Sequence, residues 1–191
     1  MVESWPGWAS RSAVLAGPEG SGKSHLAAIW GAAAGARFIA ARALGEADVP
    51  PALATGAVVI EDAAEGGYDE RALFHLLNLA HEEGAFVLLT TRTAPAGWRF
   101  AVRDLGSRLK ALPLVALAPP GDELLRALLV KLFSDRQVAV DESLIGYVAT
   151  RIERSFAAAR TVVARLDDEA MRRKRPLTRA LAAEVLRGDD A

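Results

Sequence analysis

Apolar positions in the first two-thirds of the chain come in short runs separated by helical patterns. Residues 12–16 read as a strand and residues 22–34 as a helix. Residues 37–41 form a second short strand. Residues 57–60 are apolar throughout, as expected of a strand covered on both faces. Leu73, Leu76, Leu77 and Ala80 recur at helical spacing, which predicts a helix over 69–83. Residues 86–90 give a fourth strand and 112–117 a fifth. Strands alternating with helices predict an α/β fold, a five-stranded, mostly parallel sheet with right-handed crossovers.

The pattern changes at Pro119-Pro120-Gly121, which ends the last strand. Only helices follow, over 122–135, 141–151, 155–173 and 178–186. Asp141 and Thr178 are expected N-caps, and Pro176 stops the third helix. In that helix Phe156, Ala159, Val163, Leu166 and Ala170 make a narrow apolar seam. Two domains are therefore expected, an α/β body over 1–118 and a small helical domain over 119–191. No repeat at solenoid periods is present.

Hydrophobic residues make up 51% and charged residues 25%, a globular balance that excludes a disordered or collagen-like chain. The net charge is −1, with ten basic and twelve acidic residues before Pro119 and thirteen and twelve from there on. Neither part has the positive excess of a dedicated duplex-binding module. With no cysteine, a disulfide framework and thiolate metal sites are excluded, which fits a reducing cytosol. No apolar run approaches the roughly 20 residues of a bilayer span. Residues 1–11 lack the pattern of a signal peptide. The expectation is a soluble, cytoplasmic protein with no membrane partner.

Gly17-Pro18-Glu19-Gly20-Ser21-Gly22-Lys23-Ser24 fits GxxxxGK[ST] at every required position, directly after a strand and opening a helix. Glycines let successive N–H groups turn inward around phosphate oxygens, and the helix N-terminus adds partial positive charge. Lys23 would reach the β- and γ-phosphates and the Ser24 hydroxyl would ligate Mg2+. A metal-side carboxylate is expected at the end of a neighbouring buried strand, and Glu61-Asp62 follows the apolar run 57–60. The plainer alternative is a strand running into an acidic surface loop.

Further stretches, in order, resemble the DnaA branch of the AAA+ ATPases, and within it the Hda group of regulators. Thr90-Thr91 resembles sensor 1, Asp104-Leu105-Gly106-Ser107-Arg108-Leu109 the Ser-Arg box, and Arg160 the sensor 2 arginine. Leu73-Phe74-His75-Leu76-Leu77-Asn78 is similar to the branch's Phe-His…Asn helix. Lys131-Leu132-Phe133-Ser134-Asp135-Arg136 and the segment 154–167 are similar to its helical lid. The resemblance implies an ADP- or ATP-binding regulator with weak or no ATPase activity of its own. It would promote ATP hydrolysis by the DnaA initiator, with Arg108 as an arginine finger in trans and Asp62 and Thr91 in catalytic positions. Residues Gly17, Pro18, Glu19, Gly20, Ser21, Gly22, Lys23, Ser24, His25 and Arg160 would hold the nucleotide, and Ser24 and Glu61 the Mg2+. Implied partners are the initiator and the sliding clamp, with DNA reached only indirectly and a homo-oligomer allowed. The chain departs from the branch in three places. Glu61-Asp62 stands where Asp-Glu is usual, Arg92 stands where the initiator has an Asp, and the clamp-docking peptide is not found.

Plainer readings accompany these. His25 is a packing or hydrogen-bonded residue beside the loop. His75 and His81 do not share a helix face, so no metal site is expected from them. Trp5 and Trp8 pack at the core edge or stack on adenine, and Trp30 is core. Arg172-Arg173-Lys174-Arg175 is the one basic cluster, a solvated helix end or a weak DNA-backbone contact. Arg108 would otherwise pair with Asp104 one turn back. Rival functions are a helicase-loader-type AAA+ ATPase and a small-molecule P-loop kinase. No basic groove with aromatic platforms supports the former, and the appended helices argue against the latter.

Overall fold

Five runs rich in aliphatic residues form the strands β1 (Ser12–Ala16), β2 (Arg37–Ala40), β3 (Ala57–Ala63), β4 (Phe86–Thr91) and β5 (Leu114–Ala116). In the computed structural model, which describes residues 5–8, 10–64 and 66–187, they pair in parallel in the order β2-β3-β4-β1-β5. Residues 1–4 and 9 of the N-terminal stretch read for a signal peptide lie outside the described residues. Helices α1 (Lys23–Ala34), α2 (Val49–Leu53), α3 (Glu70–Glu83) and α4 (Arg103–Ala111) complete this part of the chain.

Period-two alternation sends side chains to both faces of the sheet. Val58, Ile60, Val87 and Leu89 pack with Leu73, Leu76 and Leu77 of α3. Ala13, Leu15, Val59 and Leu88 pack with Ala27 and Trp30 of α1. Trp8 stacks on Trp30 at 5.1 Å and Trp5 meets Phe86 edge-on at 5.9 Å, so both N-terminal tryptophans are packing residues.

Strands β3 and β5 differ most from the sequence pattern. β3 continues past Ile60 through a bulge at Glu61 and Asp62 and rejoins β4 at Ala63 opposite Thr91. β5 is shorter than residues 112–117 because Leu112 closes α4 and Pro113 has no N–H to pair. Helix α2 carries no periodic signal; Pro50 and Pro51 fit its first turn, where an N–H is not needed.

The chain divides into two compact units, Met1–Ala118 and Pro119–Ala191. The second holds α5 (Asp122–Asp135), α6 (Glu142–Ala149), α7 (Phe156–Arg173) and α8 (Arg179–Arg187). Asp141 caps α6 by accepting from the Leu144 N–H at 2.7 Å, Ser155 caps α7 through Ala158, and Thr178 accepts from Leu181. Helix α6 stops at Ala149, before residue 151, where the Thr150 hydroxyl donates to the Gly146 and Tyr147 carbonyls. Leu125, Leu129, Phe133, Leu144, Val148, Val163, Leu166 and Leu181 form its core, each contributing about 1.5–3 kcal/mol. The α7 seam is buried at Ala159, Val163 and Leu166, with Val162 added and Phe156 only half-buried. Among the described residues no helix is long and apolar enough to cross a membrane.

Candidate nucleotide-binding site

The loop from Gly17 to Gly22 joins β1 to α1 at the C-terminal edge of the sheet, flanked by the ends of β4 and β5. The Gly17 N–H donates to the Thr91 carbonyl at 3.1 Å, which ties the loop to the end of β4. A Cβ at Gly17 would sit 2.7 Å from both the Leu117 carbonyl oxygen and Ser21 Oγ, so no larger residue fits. Gly22, with φ of 92°, turns the chain into α1 in a conformation that L side chains rarely adopt.

Lys23 is buried, and its Nζ donates to the Gly17 and Pro18 carbonyls, both at 2.7 Å. Desolvation holds this ammonium below the usual lysine range. The Asp62 carboxylate opposes the shift, the Arg92 guanidinium adds to it, and Glu19 opposes it. The Ser21 hydroxyl is buried with no hydrogen-bond partner, an orphan polar group inside the loop. A cradle with an orphan hydroxyl and a lysine folded onto its own carbonyls suits an anion with several oxygens. Ser24 and His25 are exposed on the first turn of α1, so His25 is not the packing residue its position suggests.

The bulge in β3 separates the two acids. Glu61, half-buried, continues the alternation from Val59. Asp62 is the extra residue, exposed and at φ 54°, and its field reaches Lys23. The Asp62 N–H donates to Thr90 Oγ1 at 3.1 Å, while Thr91 Oγ1 donates to the Thr93 carbonyl at 2.9 Å. Thr91 thus spends its proton locally, whereas Thr90 accepts at this bond and keeps its own to give. Thr90 also shares the face of Leu88, the side that packs on α1. Alternation alone could have singled it out.

Arg92 and Glu19, far apart in sequence, form an ion pair at 3.0 Å. This accounts for Arg92 beyond sensor 1: its charge lies beside the loop and is met there by the loop's own carboxylate. Both partners are well exposed, so the pair itself contributes little stability.

Arg108 is held on α3. Its Nη1 donates to the Leu77 carbonyl at 3.4 Å and the guanidinium lies 5.8 Å from the Phe74 ring centroid. Glu70 at the start of α3 accepts from the Ala101 and Val102 N–H groups, fixing the entry to α4. Arg108 therefore turns to α3 rather than to Asp104 on its own helix. Arg160 is exposed on α7 and belongs to the helical unit. Among the described residues no three His, Asp or Glu side chains gather into a metal cluster, and His75 and His81 are both exposed.

No protein-family model matches the chain. The chromosomal replication initiator protein DnaA of Thermomicrobium roseum is 26% identical over 122 residues, 64% of this chain and 26% of the initiator. The chain thus spans about a quarter of the length of that relative. Domain III of the Thermotoga maritima replication initiation protein DnaA superposes with a TM-score of 0.80 at 20% identity, over 98% of this chain and 87% of that one. The Thermotoga maritima RuvB Holliday junction branch migration motor gives 0.76 at 17% identity, over 92% and 61%. A replication initiator DnaA bound to AMPPCP and single-stranded DNA gives 0.69 at 15% identity, over 85% and 58%. Strand order, loop position and these likenesses agree on one fold, the AAA+ P-loop fold, which this chain carries in a DnaA-like form.

Proposed function

We propose that this chain binds ADP or ATP with Mg2+ on the loop 17–24 and regulates replication initiation in the cytoplasm. In this reading it promotes ATP hydrolysis by an initiator of the DnaA kind, with the sliding clamp as the platform where the two meet. The observation that carries the nucleotide reading is the cradle: Lys23 and the orphan Ser21 hydroxyl converge at the end of β1. A DnaA solved with AMPPCP supports the same ligand class.

On binding, Lys23 exchanges two neutral carbonyls for charged phosphate oxygens, a stronger class of hydrogen bond. The donor set fits Mg2+, which is commonly held by one or two carboxylates together with nucleotide phosphates. Here the protein ligands would be the Ser24 hydroxyl and, partly through water, the Glu61 carboxylate, and the ion would screen phosphate charge. Arg160 would add a cation from the helical unit.

Arg108 would serve the initiator's nucleotide in trans. Its hold on α3 is a long hydrogen bond and a distant ring contact, together worth about 1 kcal/mol. An arginine finger elsewhere supplies roughly 10³–10⁵ in rate, so releasing Arg108 is a minor cost.

The test is ATP turnover by the cognate initiator with and without this chain, in the presence of ADP, clamp and primed DNA. Stimulation lost in R108A, with ADP affinity preserved, is the expected result. No stimulation, with ATP hydrolysed by the chain alone, would favour a helicase-loader-type ATPase instead.

A further inference from the structure

In the helical unit, gathered cations are generally met by carboxylates. Arg172 and Arg173 bind Glu169 at 2.7 and 2.8 Å, and Arg173 and Arg175 reach Glu184 at 2.7 and 3.5 Å. Arg136 pairs with Asp167, Arg154 with Asp122, and Lys131 with Asp135. In the basic run 172–175, the cluster most visible in the sequence, the three arginines thus share two carboxylates.

A different group gathers from the end of α6 and from α8. Arg151, Arg179 and Arg187 line one open concavity of about 550 Å3 with Tyr147, and among the described residues no carboxylate lines it. The side chains are ordered by neutral contacts. Arg151 lies 3.7 Å from the Tyr147 ring centroid, and its Nη1 donates to the Tyr147 carbonyl and the Thr150 hydroxyl. Arg179 approaches the same ring at 5.4 Å, and Arg187 Nε donates to the Ala183 carbonyl. Gathering three like charges without a counter-ion is unfavourable. Each guanidinium keeps unused N–H donors in a planar fork.

We propose that Tyr147, Arg151, Arg179 and Arg187 form a phosphate-binding site in the helical unit. A phosphate group presents several strong acceptor oxygens and up to two negative charges, enough to meet three guanidiniums. A single carboxylate offers two oxygens and one charge and leaves most of the cluster uncompensated. The ligand is either a small phosphorylated molecule with a terminal phosphate or a nucleic-acid backbone whose successive phosphodiesters each add one charge.

The experiment follows the arginine Nε–H NMR signals of the full chain, assigned with R151Q, R179Q and R187Q. Inorganic phosphate, a thymidine oligonucleotide and oligoglutamate are added separately. Phosphate is expected to shift these signals, and R179Q/R187Q, checked for an unchanged melting temperature, to weaken binding at least about tenfold. R172Q/R175Q removes the same charge from the paired cluster and is expected to change binding less than about twofold. Binding of phosphate and oligonucleotide identifies a backbone site, and binding of phosphate alone a small-molecule site. Equal losses in both double variants, or shifts with oligoglutamate alone, overturn the proposal. Asp189 and Asp190 lie outside the described residues, so the titrations are repeated with D189N/D190N. No phosphate binding in either background also overturns it.

Discussion

The two units place polar groups in opposite ways. Among the described residues the α/β unit buries Ser21, Lys23, Thr90 and Thr91, all at the C-terminal edge of its sheet. Among the described residues the helical unit buries one polar residue, Ser155, which is occupied in capping α7. Its charges stay outside the apolar core, several of them in ion pairs. Buried polar groups are tolerated where something satisfies them. In the α/β unit part of that something is missing from the chain itself, as the unpaired Ser21 hydroxyl marks, and a ligand can supply it. In the helical unit the feature left uncompensated among the described residues is electrostatic and open to solvent, where three arginines line one concavity.

Substitutions can break this contrast at graded strengths. Phe133, fully buried in the helical core, should cost about 3–5 kcal/mol when replaced by alanine, read by denaturant unfolding followed by circular dichroism. K23A should weaken ADP binding about 10²-fold, or about 2.7 kcal/mol, in titration calorimetry. It should leave stability nearly unchanged, because Lys23 is already disfavoured by desolvation. A large loss of stability in K23A would make the lysine structural and remove the contrast. R108A should lower stability by no more than about 1 kcal/mol while abolishing stimulation of the initiator. Equal, small effects on both would leave Arg108 as a packing residue of α4.

Smaller effects sharpen the picture at the loop and at a cap. Glu19 neutralises Arg92 beside the cradle, so E19Q should tighten ATP binding about two- to threefold and R92A weaken it by a similar factor. Parallel changes in the two variants would mean that neither charge senses the phosphates. The Asp141 carboxyl is held below the usual range, chiefly by the Leu144 N–H and then by Ser143. Its contribution to stability is therefore present above the ordinary carboxylate range and lost as pH falls through the lowered value. Melting curves should show D141N less sensitive to acid than the parent, by a small margin.

Much of the α/β unit was legible because its signals are local. A fully apolar run becomes a doubly covered strand, and a GxxxxGK[ST] segment between strand and helix builds its loop from consecutive residues. The same locality placed Asp141, Ser155 and Thr178 at helix starts. Hidden were features that depend on where distant segments meet. The bulge that separates Glu61 from Asp62 follows from the pairing of β3 with β4, and the Asp62 N–H bond to Thr90 follows from that bulge.

Sequence by itself thus determined the parallel sheet, the glycine-rich loop with Lys23 and Ser24, and the change to helices after Pro119. Each rests on periodicity, or on residues adjacent in the chain whose backbone needs are local. Tertiary structure alone decided that Glu19 meets Arg92, that Arg108 lies on α3, and that Arg173 and Arg175 meet Glu184 of α8. It also decided that Arg151, Arg179 and Arg187 share a concavity. Charge interactions depend on distance through space, and no pattern along a chain encodes which side chains of separate helices converge.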